Sequence, residues 1–181
     1  YRQGHLMDAK ARAARIKLIA FDIDGVMTDG GLHYSDDGHE FKTFNVQDGL
    51  GIVLLKRVGI EVAIITGRNS GVVSHRAADL GVAHVYQGVG NKREVAEKLL
   101  EKLGLTWSEL AFMGDDLIDL PAMALCGLAI APANARPIVK ERVHAITEAA
   151  GGHGAVREAI EFILAAQSKL DEAFAPYLVA A

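Results

Sequence analysis

The sequence Lys17-Leu18-Ile19-Ala20-Phe21-Asp22-Ile23-Asp24-Gly25 runs from a short apolar segment into two aspartates. A continuous apolar run of this length, bounded by turn residues, is typical of a buried β-strand. Asp22 and Asp24 follow that strand directly. Ligands of parallel α/β sheets bind beyond the carboxyl ends of the strands, so we predict that both carboxylates lie at a binding edge.

Outward from this segment, short apolar runs alternate with patterns that are typical of helices. The further predicted strands are residues 61–65, 84–86, 110–113, 128–130 and 144–146. Repeated strand–helix units favour an α/β fold with a doubly wound, Rossmann-like parallel sheet. Residues 31–45 interrupt the alternation and are typical of a protruding β-hairpin with Asp36-Asp37-Gly38 as its turn. The stretches from Asp24 to Thr66 and from Thr66 to Lys92 are too short for a cap domain.

Helical patterns fill the intervals between these strands. The predicted helices are residues 70–80, 91–103, 117–125, 136–142 and 155–164, together with a helix that Asp48 caps and that ends near Val58. We expect residues 1–181 to form a single domain. Residues 1–6 resemble a tag remnant, and residues 168–181 are weakly patterned, which predicts a mobile tail.

The composition excludes several classes of protein. Half of the 181 residues are apolar, which suits one domain with a sizeable core. The formal net charge of −4 gives no electrostatic footprint for nucleic acid. We find neither an apolar run of about 20 residues, the length of a membrane span, nor a secretion signal. Cys126 is the only cysteine, so no internal disulfide can form and we expect a cytoplasmic protein. From the charge and the lack of a long apolar run, we expect neither membrane nor nucleic-acid partners.

Polar side chains follow other predicted strands as well. Thr66 ends the second main strand, Asp115 ends a later one, and Lys92 opens a helix that can reach the same edge. Asp116 and Asp119 lie close behind Asp115 in the sequence. Several carboxylates in one pocket repel one another unless a cation is bound, and ligand sets made only of oxygen favour Mg²⁺ over zinc. The spacing therefore predicts a magnesium site at this edge of the sheet.

This set of side chains suits phosphoryl transfer, in which catalysis consists mainly of positioning and charge neutralisation. The hydroxyl of Thr66 and the ammonium of Lys92 are suitable donors to phosphate oxygens. One aspartate can act as a nucleophile and form an acyl-phosphate. A second can protonate the leaving oxygen and then deprotonate the attacking water. Asp22 and Asp24 are spaced for these two tasks.

The motifs resemble those of the haloacid dehalogenase superfamily. The matching segments, in the superfamily's order, are Phe21-Asp22-Ile23-Asp24-Gly25-Val26, Ile65-Thr66-Gly67-Arg68, Lys92 and Gly114-Asp115-Asp116-Leu117-Ile118-Asp119. The resemblance implies the haloacid dehalogenase fold, with Asp22 as nucleophile, Asp24 as general acid/base, and Thr66 and Lys92 as phosphoryl binders. Asp24 also favours a phosphatase, because dehalogenases of the superfamily lack this second aspartate.

The same resemblance implies Mg²⁺ as the cofactor. The implied ligands are the Asp22 side chain, the Asp24 backbone carbonyl and the Asp115 side chain. Asp119 would orient Lys92 or a metal-bound water. Asp116 would support the shell of ligands around the metal.

Further segments resemble one family within this superfamily, the 3-deoxy-D-manno-octulosonate 8-phosphate phosphatases. They are residues 24–30, 44–49, 64–68, 86–88 with 91–92, and 151–158. The resemblance implies hydrolysis of that sugar phosphate, a step of lipopolysaccharide biosynthesis, by a capless homotetramer in which neighbouring subunits cover each active site. The implied substrate contacts are Asp24, Asn45, Val46, Gln47, Asp48, Gly49, Arg68, Arg76 and Lys92.

Two features of the sequence bear on the substrate and on the assembly. Arg68 and Arg76 lie eight positions apart, about two helical turns, so they can share one face and bind the carboxylate of an acid sugar. The apolar side chains of the hairpin are Leu32, Tyr34, Phe41 and Phe44. An isolated two-stranded ribbon is marginal in water, so we expect the hairpin to pack against another subunit. Packing on its own domain is the alternative.

Other functions stay open. A phosphatase for another nine-carbon acid sugar phosphate would share the chemistry, and Gln47 stands where members of the family can carry an arginine. A non-catalytic relative that serves in assembly is a second alternative, against which the intact Asp22 and Asp24 argue. A signalling receiver domain is disfavoured, because such domains carry the phosphorylated aspartate on a middle strand and here Thr66 ends the second main strand instead.

Overall fold

The computed structural model describes residues 2–178. Its helices are α1 (Arg2–Ala13), α2 (Val46–Arg57), α3 (Gly71–Asp79), α4 (Lys92–Leu103), α5 (Leu120–Met123), α6 (Pro137–Lys140), α7 (Ala155–Ala166) and α8 (Leu170–Phe174). Its strands are β1 (Leu18–Phe21), β2 (His33–Tyr34), β3 (Glu40–Phe41), β4 (Glu61–Ile65), β5 (His84–Tyr86), β6 (Leu110–Met113), β7 (Leu128–Ala131) and β8 (Ala145–Ile146). Among these helices of the described region, none has the length and apolar character needed to cross a bilayer.

Six strands form one parallel sheet in the order β5-β4-β1-β6-β7-β8. The chain begins this sheet at its centre with β1, moves outward through β4 and β5, and then returns to the other side of β1 with β6. The sheet is therefore doubly wound, which confirms the predicted fold class. Phe21, the last residue of β1, pairs with Ile64 of β4 and with Met113 of β6. The residues that follow these three strands consequently meet at one edge.

Helices cover both faces of the sheet, and each face has its own apolar cluster. Within β1, Ile19 and Phe21 belong to the cluster that includes residues of α1, α2 and α7, whereas Leu18 and Ala20 belong to the cluster that includes residues of α4 and α5. Burial on both faces explains why β1 is a continuous apolar run rather than an alternating one.

The strands and helices that the sequence predicts all appear, with ends that differ by a few residues, but one helix cap is different. The sequence predicts Asp48 as the cap of α2, and this is wrong. Asn45 is the cap, because its side chain accepts hydrogen bonds from the backbone amides of Gln47 (2.8 Å) and Asp48 (3.3 Å). Asp48 lies within the helix, and its Oδ1 accepts a hydrogen bond from the backbone amide of Arg157 at 2.8 Å.

Two helices near the ends of the chain are not predicted from the sequence. α1 includes residues 2–6, and the interpretation of residues 1–6 as a tag remnant stays a prediction, with residue 1 outside the described part. α8 lies within the tail of residues 168–181, where Ala173 is fully buried and the guanidinium of Arg157 lies 5.7 Å from the ring centre of Phe174. The mobility of the tail stays a prediction, and its last three residues lie outside the described part.

β2 and β3 form a separate antiparallel ribbon, the hairpin, in which each strand has two residues. Its turn is closed by a hydrogen bond from the amide of Gly38 to the carbonyl of Ser35 (2.9 Å). Phe44 packs against the core, whereas Tyr34 and Phe41 are each 57% exposed. No cap domain interrupts residues 2–178, and the strands between β1 and α2 are those of the hairpin.

Candidate active site

Three adjacent strands bring the predicted polar side chains to one cleft. Asp22 follows β1, Thr66 follows β4, and Asp115 lies two residues beyond β6. The cleft has a volume of about 270 Å³, and its lining residues are Asp22, Asp24, Gly30, Thr66, Gly67, Arg68, Asp115, Asp116 and Ile118. Residues from distant parts of the sequence therefore meet at the carboxyl edge of the sheet.

Lys92, the first residue of α4, is buried among carboxylates. Its Nζ lies 2.9 Å from Oδ1 of Asp22 and 2.5 Å from Oδ1 of Asp119. Burial disfavours the charged ammonium, but the charges of Asp119 and Asp22 outweigh this effect and raise the pKa of Lys92. A permanent positive charge therefore lies beside Asp22 in a poorly solvated position, where it is most effective at stabilising an anion.

Asp119 organises the turn that follows β6. Its Oδ2 accepts hydrogen bonds from the backbone amides of Asp115 (3.0 Å) and Asp116 (3.3 Å), while its Oδ1 accepts from Lys92. A Cβ atom at Gly114 would overlap the carboxyl group of Asp119, so only glycine fits there. Both oxygens of Asp119 are thus bonded within this chain, and they hold Lys92 and the turn in a fixed relation.

The carboxylates around Asp22 fit a divalent cation. Asp22, Asp115 and Asp119 each bring one oxygen to within 4.8 Å of the others. Oδ1 of Asp22 is buried and, apart from its ion pair with Lys92, has no well-aligned hydrogen bond to the described residues. Because Asp119 is already satisfied, Asp22 and Asp115 are the side chains left to hold a cation, and carboxylate oxygens suit Mg²⁺.

The crowding of negative charge raises the pKa of two of these groups. Burial, followed by the charge of Asp119, raises the pKa of Asp22 to about 6, although Lys92 opposes the shift. Burial, followed by the charges of Asp119, Asp22 and Asp116, raises the pKa of Asp115 to about 7. Full ionisation of both groups at neutral pH is therefore unfavourable unless a cation neutralises them.

Asn134 braces the loop that carries Asp22 and Asp24. Its Nδ2 donates to the carbonyl of Gly25 (2.9 Å), and its Oδ1 accepts from the amide of Gly151 (2.6 Å). Gly25 has a φ of +87°, and a Cβ atom there would overlap the carboxylate of Asp115. Glycine is therefore required on both grounds, and Asp115 can lie directly against the backbone of the loop.

Asp24 lines the cleft and is held by the hairpin. Lys42, the residue after β3, donates from Nζ to Oδ1 of Asp24 at 2.5 Å and lies 3.3 Å from Oε1 of Glu40. Glu40 also accepts from Arg68 at 2.6 Å, and Arg68 donates to the hydroxyl of Tyr34 at 2.7 Å. A chain of alternating charges thus connects Asp24 to Arg68 through the hairpin.

The other predicted substrate contacts do not line this cleft. Residues 45–49 form the start of α2, where Val46 is 80% exposed and Asp48 is buried. Nη2 of Arg76 lies 3.5 Å from the carbonyl of Asn45, and its guanidinium lies 5.9 Å from the ring centre of Phe44. The structure therefore places Arg68 in the cleft and Arg76 against the loop 45–49. Their roles in substrate binding stay predictions.

Three polar side chains that contact the site are not predicted from the sequence: Lys42, Glu40 and Asn134. Glu40 and Lys42 flank Phe41, so they point to the same side of the strand, and this alternation is a signal that could have identified them. Nothing in the local sequence distinguishes Asn134 from an ordinary loop asparagine.

Comparison with known proteins gives a consistent picture. Residues 77–160 match a family model described as haloacid dehalogenase-like hydrolase. The chain is similar to the 3-deoxy-D-manno-octulosonate 8-phosphate phosphatase KdsC of Escherichia coli (strain K12), with 48% identity over 166 residues that cover 92% of this chain and 88% of the relative.

Two solved structures are also similar to this chain. The phosphatase of the same name from Moraxella catarrhalis, in complex with a magnesium ion, a phosphate ion and a KDO molecule, has a TM-score of 0.92 and 43% identity over 94% of this chain and 98% of that chain. The cobalt-bound deoxy-D-mannose-octulosonate 8-phosphate phosphatase from Haemophilus influenzae has a TM-score of 0.86 and 41% identity over 88% of this chain and 94% of that chain.

Proposed function

The chain belongs to the haloacid dehalogenase-like hydrolases and, within them, to the 3-deoxy-D-manno-octulosonate 8-phosphate phosphatases, and we propose on this basis that Asp22 is its nucleophile and Asp24 its general acid/base. The observation that carries the proposal is the arrangement at the end of β1. Asp22 is buried beside Lys92, while Asp24, two residues further on, lines the same cleft.

The chain is a phosphoric monoester hydrolase that converts 3-deoxy-D-manno-octulosonate 8-phosphate into 3-deoxy-D-manno-octulosonate and phosphate, with Mg²⁺ as its cofactor. When bound, the cation neutralises charge on the phosphoryl oxygens and on the crowded carboxylates. The proposed ligands are the side chains of Asp22 and Asp115 and the backbone carbonyl of Asp24. Asp116, which lines the cleft, is proposed to support them.

In the first half-reaction, a carboxylate oxygen of Asp22 forms a bond to phosphorus while the bond from phosphorus to the sugar oxygen breaks. Lys92 and Thr66 donate to the phosphoryl oxygens and neutralise the charge that they carry. Asp24 gives its proton to the sugar oxygen, so this oxygen leaves as a neutral hydroxyl group. The products of this step are an acyl-phosphate on Asp22 and a carboxylate on Asp24.

In the second half-reaction, the carboxylate of Asp24 takes a proton from a water molecule whose oxygen attacks phosphorus. The bond between phosphorus and Asp22 breaks, and this aspartate regains its charge as inorganic phosphate is released. Asp24 ends the cycle protonated, as it began. Protons and charge therefore balance over the two steps.

Arg68 is the proposed partner for the carboxylate of the acid sugar. It lines the cleft, and its side chain remains 37% exposed although it is bonded to Glu40 and Tyr34. A guanidinium has five N–H donors, so a substrate carboxylate can bind to donors that the hairpin leaves available. Arg76 and residues 45–49 of the proposed substrate set do not line this cleft, which supports a contribution from a neighbouring subunit.

We propose that the enzyme assembles as a homotetramer through its hairpins and that it works in the cytoplasm. The large apolar side chains exposed on the hairpin and on α2 are Leu32, Tyr34, Phe41, Val46, Leu50 and Val53. The three on α2 follow the spacing of one helical face, and an apolar surface of this kind supports association. The number of four subunits rests on the resemblance to the family, and the single cysteine supports a reducing compartment.

Hydrolysis rates on a panel of sugar phosphates, measured with and without Mg²⁺, test the substrate and the cofactor together. We expect 3-deoxy-D-manno-octulosonate 8-phosphate to be the best substrate by at least roughly tenfold, which is about 1.4 kcal/mol in the barrier. Equal rates on simple hexose phosphates would contradict the substrate assignment but leave the phosphatase assignment intact. A higher rate on another nine-carbon acid sugar phosphate would favour that alternative.

Acid quenching during turnover tests the nucleophile. Mass spectrometry of the quenched protein should find phosphate on the peptide that contains Asp22, since acyl-phosphates survive at low pH. Phosphate on any other residue would contradict the proposed role of Asp22.

A further inference from the structure

Lys42 connects the hairpin to the catalytic loop, and the half-reactions above give it no role. Its side chain is only 1% exposed, although lysine is almost never fully buried unless it is paired. The pairing is present, because Nζ lies 2.5 Å from Oδ1 of Asp24 and 3.3 Å from Oε1 of Glu40. The buried ammonium therefore has two oxygen partners, and one of them belongs to the proposed general acid/base.

The contact distinguishes the two oxygens of Asp24. Oδ1 accepts the hydrogen bond from Lys42, whereas residues 2–178 supply no hydrogen-bond donor to Oδ2. The side chain of Asp24 is 21% exposed and lines the cleft. A carboxyl group held through one oxygen has only its other oxygen with which to exchange a proton with a bound molecule. The charge-assisted bond also fixes the rotation of the carboxyl plane.

We propose that Lys42 is a positioning residue, which holds Oδ1 of Asp24 so that Oδ2 delivers the proton to the leaving oxygen. Glu40 holds Lys42 in turn. This inference rests on the proposed role of Asp24. As the bond from phosphorus to the leaving oxygen breaks, the proton on Oδ2 passes to that oxygen, and the carboxylate that remains is stabilised by the ammonium of Lys42.

An anchoring role of Lys42 in the hairpin would have a different consequence from a positioning role. A displaced hairpin would slow the enzyme on all phosphate esters of similar size alike. A misplaced general acid would slow only those esters whose leaving oxygen needs a proton. The dependence of the rate on the leaving group therefore separates the two roles.

Phenyl phosphate and 2,4-dinitrophenyl phosphate provide this comparison without a sugar. Phenolate is a poor leaving group that benefits from protonation, whereas dinitrophenolate leaves as a stable anion. Lys42→Met removes the ammonium and keeps the apolar stem. We expect kcat/KM of this variant to fall roughly 10- to 100-fold for phenyl phosphate, a part of what general acid catalysis contributes, and less than about threefold for the dinitrophenyl ester. A similar fall for both esters would overturn the positioning role.

Asp24→Asn, measured in parallel, distinguishes failure of this inference from failure of the proposed function. If Asp24→Asn slows both esters equally, the assignment of Asp24 as the general acid is wrong. If Asp24→Asn shows the leaving-group dependence and Lys42→Met does not, only the role of Lys42 is wrong. The double variant should be no slower on phenyl phosphate than Asp24→Asn alone, because Lys42 acts through Asp24.

Lys17→Met is the matched control, because Lys17 forms an ion pair with Glu109 at 2.6 Å but its side chain is 64% exposed. We expect it to leave both rates unchanged. Thermal unfolding and the retained rate on the dinitrophenyl ester report whether Lys42→Met is folded. If it is not, Lys42→Leu, which also removes the donor and keeps an apolar side chain, carries the same comparison with the same two outcomes.

Discussion

The sheet edge and the hairpin contribute to the same cleft but are built in opposite ways. At the sheet edge, Asp22, Lys92 and Asp119 are buried and bonded to one another across three elements. In the hairpin, Tyr34 and Phe41 are more than half exposed, and each strand pairs over only two residues. One chain therefore brings together the groups proposed for phosphoryl transfer, whereas the hairpin keeps apolar side chains exposed that the proposed tetramer would cover.

The largest expected effect comes from a change at Asp22, the proposed nucleophile. We expect Asp22→Asn to lower kcat on the order of 10⁵-fold for sugar and aryl phosphates alike, because no acyl-phosphate can form. Steady-state hydrolysis measures this loss. Asp36→Asn, an exposed position in the hairpin turn, is the control and should stay within about twofold of the parent. Substantial residual turnover by Asp22→Asn would contradict the proposed role of Asp22 as the nucleophile.

Lys92→Met should give the next largest effect. We expect a fall in kcat/KM on the order of 10²- to 10³-fold, because a preorganised charge at the phosphoryl group is lost. In denaturant titrations without metal, the variant should also lose about 3 kcal/mol of unfolding free energy. The reason is that removal of the Lys92 ammonium leaves the buried carboxylates of Asp22 and Asp119 unpaired. Lys17→Met breaks an exposed, solvent-screened pair and should lose much less stability than Lys92→Met. Equal losses of unfolding free energy in the two variants would contradict a special contribution of the buried ion pairs of Lys92 to stability.

Phe41→Asp tests whether the hairpin forms the proposed interface between subunits. We expect this exposed position to tolerate the change in the folded subunit within about 0.5 kcal/mol, while the charge disrupts the proposed tetramer. The rate on the acid sugar phosphate should fall about tenfold, equivalent to 1.4 kcal/mol, and the rate on phenyl phosphate should fall less. Light scattering coupled to size exclusion gives the mass. Ile146→Asp, 49% exposed in β8, is the control, and an unchanged tetramer in Phe41→Asp would refute the hairpin interface.

The smallest effect concerns pH and magnesium. Asp22 and Asp115 have a pKa near 6 and near 7 in the folded chain, above the ordinary 3.8, so between these limits the folded state binds more protons than the unfolded state. Their contribution to stability is fully present below pH 3.8 and is lost progressively as the pH rises to about 6 and about 7. Mg²⁺ relieves the resulting repulsion.

Thermal unfolding at pH 5.5 and pH 8, with Mg²⁺ or with Na⁺ at equal ionic strength, checks this sign. We expect Mg²⁺ to raise the midpoint more at pH 8, by about 2–4 °C for each kcal/mol gained, because protons compete with the cation at low pH. Asp115→Asn should remove most of the difference. An equal rise at both pH values would contradict the raised pKa values of Asp22 and Asp115.

The sheet edge could be predicted from the sequence because short-range patterns determine it. Continuous apolar runs identify β1, β4 and β6, and the polar residues directly after them must meet once the strands are parallel neighbours. The bond from Lys42 to Asp24 spans 18 positions and joins the segment after β3 to the loop after β1, so no local pattern contains it. Only the tertiary fold brings the two side chains together.

The cap of α2 and the terminal helices show two other limits of sequence reasoning. Asn45 and Asp48 are three positions apart, and both are favoured cap residues. Only the burial of Asp48 against α7 decides between them. α8 has five residues, which is too short to be stable by propensity alone. It exists because the core accepts Ala173 and Phe174, and a periodicity search over five residues cannot detect that.

The shortness of the hairpin strands has a consequence for how this scaffold can change. Each hairpin strand pairs over only two residues, and the hairpin is separate from the six-stranded sheet. Insertions or deletions in the hairpin therefore leave the hydrogen bonds between the six strands unchanged. If Arg68 and the hairpin recognise the sugar as proposed, replacement of this one surface ribbon should change the sugar preference, provided that a cation such as Lys42 still reaches Asp24. For protein engineers, residues 31–41 are the natural segment to exchange between relatives, and the strand ends are the part to leave alone.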